Sequence, residues 1–255
     1  MKIQTYIIAM LIMLLITPLS RSYFIINYTN VTIHIYENGS ALVNELYNIY
    51  ITNTSIQQYY DYRVDLNLTV GQWASILGRN FTFYIVNPKY GVSDVTLLPG
   101  APSLINAQFA YAYIDVSYFV RNLTIINKTA PRLFTYTFND SFLNFLHTVS
   151  GEIIPASTSL NIILPNGSTI KEIYPLPDYP AGGVINSYKN VTRVSWFKGE
   201  PLNNFKLVFQ IREPIAQEVI SNVSSLYHYL GYWLYALLAL LFIIVFLVSY
   251  KRSKG

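Results

Sequence analysis

The chain has 255 residues, 52% hydrophobic and 12% charged, with a formal net charge of +4, 23 Tyr and no Cys. The basic excess is not a nucleic-acid footprint, because residues 23–229 hold 12 basic and 13 acidic side chains. The other five basic residues (Lys2, Arg21, Lys251, Arg252 and Lys254) flank two apolar segments. Without Cys, disulfides and thiolate metal sites are excluded, so an exported domain of this length must rest on its own apolar core.

The first apolar segment reads as a secretory signal. Lys2 supplies positive charge, Tyr6 to Ile16 an apolar run, and Ser20-Arg21-Ser22 the small residues of a cleavage site. Eleven residues span about 17 Å as a helix, against roughly 30 Å of bilayer hydrocarbon. Residues 1–22 are therefore expected to be a signal peptide cleaved after Ser22, in preference to an uncleaved anchor.

Residues 23–213 read as a β-rich ectodomain. Val31 to Tyr36 alternates, Asn38-Gly39 signals a type I′ hairpin, and Leu42 to Ile51 returns as its partner. The same pattern recurs as Ser159–Leu164, Asn166-Gly167 and Thr169–Tyr174. Further strands are expected at 81–86, 109–120, 123–126, 133–138, 191–197 and 205–211, where β-branched and aromatic residues concentrate. Helical turns are expected at Gly71–Leu77 and Ser141–His147, and a boundary between two modules is possible near 141–151. Many short strands separated by turns predict a mainly β fold, a β-sandwich-like ectodomain, rather than an α/β arrangement. Tyr174 to Gly183 carries three prolines, so it reads either as polyproline II or as an ordinary loop.

Residues 214–229 are expected to form a membrane-proximal helix, with Ile215, Val219, Val223, Leu226 and Leu230 on one stripe. That stripe suits packing on the ectodomain or the membrane surface, or a short self-association stalk. Leu230 to Tyr250 is uncharged and about 31 Å long as a helix, which matches the bilayer core and predicts one transmembrane helix. Tyr227, Tyr229, Tyr232, Trp233 and Tyr235 form an aromatic belt on one side. On the other side Lys251, Arg252 and Lys254 place the tail 251–255 in the cytoplasm. The chain is thus expected in the cell membrane, single-pass, with its N-terminal domain outside.

Twelve Asn-x-Ser/Thr triplets fall between the two apolar segments, at Asn27, Asn30, Asn38, Asn53, Asn67, Asn80, Asn122, Asn127, Asn139, Asn166, Asn190 and Asn222. With 21 Asn and 37 Ser plus Thr in the chain, chance gives roughly three. Such triplets are N-glycosylation acceptors in an exported chain, and all twelve are candidate sites. The stretch from Tyr84 to Arg121 holds none and is the natural bare surface for a partner. Uncharged polar groups and sugars do not titrate in acid, so stability is expected to depend weakly on low pH.

No catalytic, cofactor-binding or metal motif is present. There is no nucleophile elbow, Walker A, dinucleotide fingerprint or HExxH, and His34, His147 and His228 are far apart. Asp61 and Asp65 are the closest acidic pair but read as a solvated surface around Arg63, not as glycosidase carboxylates. No enzyme activity and no cofactor are expected.

In layout the chain resembles the membrane-anchored surface-layer-associated glycoproteins of thermoacidophilic archaea. The features that carry this are Ser20-Arg21-Ser22, the cysteine-free Tyr/Asn/Ser/Thr-rich ectodomain, and the span closed by Lys251-Arg252-Ser253-Lys254. It lacks the long coiled-coil stalk of known anchors of that kind. The resemblance implies a structural, adhesive or envelope-organising glycoprotein, whose partners are the lipid bilayer and other envelope proteins. An accessory subunit of a transport, respiratory, pilus or secretion complex shares this layout, as does a viral envelope protein.

Overall fold

The computed structural model describes residues 24–65, 68–78, 81–86, 91–138, 140–149, 151–180, 191–197 and 199–252. The expected signal peptide lies outside these residues. The described chain is mainly β, with several sheets and one long apolar helix at its C-terminal end.

The first hairpin joins β1 (Phe24–Ile35) and β2 (Ala41–Thr52) in antiparallel register from Phe24↔Ile51 to Ile35↔Ala41. Its turn is not type I′, which needs two residues with positive φ. Only Gly39 is left-handed, at +79°. Tyr36 N–H donates to the Ser40 carbonyl and Gly39 N–H to the Tyr36 carbonyl, which closes a three-residue loop. The loop is wedged against the next sheet, since a Cβ on Gly39 would lie 2.9 Å from the Thr124 carbonyl oxygen.

β2 pairs along its length with β5 (Phe109–Val120), from Ala41↔Val120 to Thr52↔Phe109. β3 (Ser93–Pro99) and β4 (Ser103–Leu104) add to the far side of β5. On the other flank β1 pairs in parallel with β10 (Thr158–Ile163), which pairs with β12 (Arg193–Phe197). The first sheet therefore runs β12-β10-β1-β2-β5-β3. A second sheet runs β11-β13-β7-β6, from β6 (Thr124–Ala130), β7 (Leu133–Phe138), β11 (Thr169–Tyr174) and β13 (Lys206–Arg212). A small ladder joins β8 (Leu146–Thr148) to β9 (Gly151–Ile153).

The expected 159–174 hairpin is not formed. β10 is already paired on both sides, by β1 and β12, so β11 has no free edge to join. The Asn166-Gly167 turn, with Gly167 at φ +78° and Ser168 N–H on the Pro165 carbonyl, carries the chain into the second sheet instead. Pairing also crosses the 141–151 segment, because β1 meets β10 and β7 meets β13. Buried side chains from both sheets belong to one apolar cluster.

The core follows strand alternation. Odd-numbered residues of β2 and even-numbered residues of β5 are buried, and the opposite faces are half-buried or exposed. Each large apolar side chain removed from water contributes about 1.5–3 kcal/mol. The sheets meet through Trp196 and Phe205, whose rings lie 5.2 Å apart, and through the Tyr136 hydroxyl, which donates to the Glu37 carbonyl at 2.9 Å.

Two helices follow β2. α1 (Ile56–Val64) was missed in the sequence because it buries only Tyr59. α2 (Val70–Leu77) lies where a helical turn was expected and begins with a Thr69/Gln72 capping box. The Ser141–His147 turn is reduced to a 3₁₀ turn at Asp140–Phe142. Residues 81–86, expected as a strand, make only an isolated bridge, Ile85↔Leu143. The Tyr84 N–H donates to a buried carboxyl and the Ile85 N–H to the Tyr118 hydroxyl, while the Phe81 and Val86 N–H groups donate to the Gly78 and Phe142 carbonyls. Residues 174–180 run along β12, with Tyr179 bridging Ser195, and so form a packed edge segment.

The final helix, α3 (Ile215–Arg252), unites the expected membrane-proximal and transmembrane segments without a break. Among the described residues it is the one helix long and apolar enough to cross a membrane, over Val223–Ile243 with mean hydropathy 1.5 and no burial.

Candidate functional site

Ahead of the final helix, seven triplets have both their Asn and their hydroxyl residue in described parts of the chain. Asn27, Asn38, Asn53, Asn122, Asn127 and Asn166 are exposed and Asn30 is half-buried. Asn38 and Asn166 lie in turns and Asn122 just ahead of β6, at φ +52°. Asn27 is the extra residue of the β1 bulge between Ile26 and Tyr28. Such a bulge lets the unpaired residue leave the strict in–out alternation. Asn30 accepts from Ser159 Oγ at 2.9 Å and from Asn161 Nδ2 at 2.6 Å, leaving its own Nδ2 outside these bonds. Asn67, Asn80, Asn139 and Asn190 lie outside the described residues, and Asn222 lies on α3.

The bare stretch expected between Tyr84 and Arg121 contains β5. With β2, it forms a sheet face that displays Leu42, Asn44, Leu46, Asn48, Tyr50, Tyr111, Tyr113, Asp115, Ser117 and Phe119. Its polar groups are tied to one another. Asn44 Nδ2 donates to Asp115 Oδ1 at 2.5 Å and to Ser117 Oγ at 3.0 Å, and the Tyr111 hydroxyl donates to Asn48 Oδ1. Gly100 passes against Tyr113, where a Cβ would lie 2.5 Å from the ring. At one end, Ile25, Tyr50, Ile105, Asn106 and Phe109 line an uncharged cleft of about 350 Å³. No glycosylation triplet starts on the outward positions of β2 or β5.

Sequence reasoning missed Glu45. It sits in the centre of β2 among the inward residues Val43, Tyr47 and Ile49, and is fully buried. The Tyr118 hydroxyl donates to Oε1, as does the Tyr84 N–H at 2.7 Å, while Tyr47 meets Oε2 at 2.5 Å. Burial pushes the Glu45 carboxyl up to about 7, against the hydrogen bonds of Tyr118, Tyr47 and the Tyr84 and Ile85 N–H groups, which pull it down. Among the described residues no ion pair reaches it, and the titratable groups around it are tyrosines. Burial and then the Glu45 charge push Tyr47, Tyr84 and Tyr118 up, so they stay phenols.

Counting protons leads to the same state. The Tyr47 hydroxyl contacts two acceptors, Glu45 Oε2 and the Thr82 carbonyl oxygen, and has one proton to give. If Glu45 carries a proton on Oε2, it donates to Tyr47, which donates to Thr82, and every contact holds one proton. Tyr118 is balanced in either state, because it accepts from Ile85 N–H at 3.0 Å while donating to Glu45. This cluster fastens residues 81–86 to the sheet.

Asp61 and Asp65 are both exposed, at α1 and just beyond it. His147 Nδ1 lies 3.4 Å from Glu152 Oε1 across the β8–β9 ladder. Among the described residues no three His, Asp or Glu side chains gather as a metal site. No protein-family model matches the sequence, and no curated protein is significantly similar to it.

Proposed function

We propose that the protein is a single-pass cell-surface glycoprotein with a structural, adhesive or envelope-organising role. In this reading the two sheets pack as a β-sandwich held outside the membrane, residues 1–22 are a cleaved signal, and the twelve Asn residues are glycosylation sites. No catalytic role is assigned.

The observation that carries the reading is the pairing of an uncovered apolar helix with a compact β domain that exposes its acceptor asparagines. Leu234, Leu237, Leu240, Phe242 and Ile243 are half to four-fifths exposed, which in water would form an apolar patch far beyond the ordinary. Lipid covers such a helix. Tyr229, Tyr232, Trp233 and Tyr235 then sit at the outer interface, while Lys251 and Arg252 sit at the inner one. The β2–β5 face, free of triplets, is the surface left for a neighbouring envelope component.

Protease treatment of intact cells tests the topology, and cross-linking with identification of attached proteins tests the role. The expected result is cleavage within residues 24–212, a protected C-terminus and cross-links to envelope proteins. A protected β domain with a cleaved tail overturns the topology. Constant co-migration with one transport or secretion assembly replaces the free glycoprotein with an accessory subunit.

A further inference from the structure

In five triplets the hydroxyl residue is buried while its asparagine is exposed. Thr29, Ser40, Ser55, Thr124 and Ser168 are 0–5% exposed, although Asn27, Asn38, Asn53, Asn122 and Asn166 beside them are open to solvent. These five make up half of the ten buried polar or charged residues described.

Each hydroxyl is also committed. Ser40 Oγ donates to Asn38 Oδ1 at 2.6 Å, and Ser168 Oγ to the Pro165 carbonyl at 2.6 Å. Ser55 Oγ pairs with Thr52 Oγ1 at 2.9 Å, and Thr124 Oγ1 reaches the Gly39 carbonyl at 3.4 Å. Thr29 is hydrogen-bonded to the Tyr84 phenol, beside the Glu45 cluster. The Asn127 triplet differs, because Asn127 and Thr129 are both exposed on β6. The hydroxyls of the Asn67, Asn139 and Asn190 triplets are exposed as well, and the inference does not extend to them.

An N-glycosylation acceptor is recognised as a unit, asparagine and hydroxyl together. A transferase that must reach a hydroxyl inside the core cannot act on the folded domain. We infer that Asn27, Asn38, Asn53, Asn122 and Asn166 are modified on the unfolded chain, before the sheets close over their hydroxyls, and that folding then ends their life as acceptors. This rests on the glycosylation reading above. In the step, the asparagine Nδ2 forms a bond to the anomeric carbon of a lipid-linked oligosaccharide phosphate. The carbon–oxygen bond to phosphate breaks, the lipid phosphate leaves with the electron pair, and one Nδ2 proton passes to base.

The fold accommodates the product. The Asn38 bonds use Oδ1, accepting from Ser40 N–H and Oγ, so Nδ2 can carry a sugar without breaking the turn. Burying the hydroxyl thus fixes an order of events, sugar first and fold second.

The test uses the full chain made without glycans. One sample is kept folded in detergent, and one is diluted from denaturant directly into a membrane extract containing an N-glycosyl transferase and its lipid-linked donor. Glycopeptide mass spectrometry reads occupancy at each site. The folded chain is expected to be modified at Asn127, with occupancy at the five other sites lower than in the unfolded chain by on the order of tenfold or more, since each needs core opening. Equal modification of those five in both samples overturns the inference. Modification of neither sample, even at Asn127, instead refutes the glycosylation reading on which it rests.

Discussion

Replacing Glu45 with Gln removes the one charged side chain that is fully buried among the described residues while keeping its shape. Gln Oε1 can accept from the Tyr118 hydroxyl and the Tyr84 N–H, and its amide can donate to Tyr47, which still donates to Thr82. The substitution thus imitates the protonated acid. The wild-type carboxyl is raised from 4.5 to about 7 in the folded state, so the folded chain holds the proton more tightly than the unfolded chain. Its contribution to stability is fully present below about 4.5 and is lost as pH rises through about 7. At about 1.36 kcal/mol per unit, that is a loss of about 3 kcal/mol between pH 4 and pH 8. The Gln variant is expected to lack this loss, so at pH 8 it should be more stable than wild type by up to about 3 kcal/mol. At pH 4 it should be equal or weaker by about 1 kcal/mol, because its second amide hydrogen has no buried partner. Denaturant unfolding of the full chain in detergent, followed by tryptophan fluorescence, reads this directly, since Trp73 and Trp196 are buried in the β domain. A wild-type stability that falls on acidification from pH 7 to 4.5, or a Gln variant with the wild-type pH slope, would refute the reasoning.

Gly39→Ala forces a Cβ onto the Thr124 carbonyl at positive φ and should lower unfolding stability by about 1–3 kcal/mol; an unchanged denaturation midpoint contradicts the wedge. Trp196→Phe leaves the Pro175 carbonyl without its 3.0 Å donor and opens the contact with Phe205, a loss of about 2–4 kcal/mol in the same assay. Trp233→Phe, exposed on α3, should leave the midpoint of the β domain where it was. Tyr136→Phe deletes the hydroxyl bond between the second sheet and the first hairpin, worth about 0.5–1.5 kcal/mol. Leu237→Asp with Leu241→Asp adds about 5–7 kcal/mol to the transfer of the helix into lipid; membrane fractionation should then recover the chain in the soluble fraction, and full retention in the membrane argues against a span.

Several strands were legible. The expected bounds 109–120, 133–138 and 169–174 coincide with β5, β7 and β11; all three are rich in β-branched and aromatic residues, and on β5 the burial also alternates with period 2, a local property. Pairing partners were not legible, because they depend on which edges are already filled. The Asn-Gly signals at 38–39 and 166–167 look alike in sequence, yet one closes a hairpin and the other changes sheets. β3 escaped notice because it lies mostly exposed, carries a register irregularity between Ser93 and Thr96, and ends in Pro99. Residues 81–86 looked like a strand because Phe81, Tyr84 and Ile85 are apolar, but the Tyr84 N–H answers to Glu45 and the Ile85 N–H to the Tyr118 hydroxyl in place of a strand partner. That residue left a signal of its own, a lone acid in phase with Val43, Tyr47 and Ile49. The asparagines of the acceptor triplets could be read from sequence. The burial of their hydroxyls could not, except at Thr29, which shares the inward phase of Val31 and Ile33 on β1.

Composition suggested stability that is nearly flat at low pH, because little of the surface is carboxylate. The core changes the sign of that expectation. Acid ordinarily destabilises proteins by protonating carboxylates that are ionised and bonded in the native state. Glu45 does the reverse, because burial disfavours its charged form by more than the hydrogen-bond ring around it favours that form. Residues 81–86 are fastened across β2 and β5 through that ring, with Phe81 4.5 Å from Tyr47 and Phe83 4.7 Å from Tyr118 by ring centroids. The fastening is therefore tightest in acid. A charge-poor exterior does little to oppose this, since few groups there gain or lose charge as pH falls. Acid thus tightens the core without penalising the surface, which is the combination any domain needs in an acidic medium.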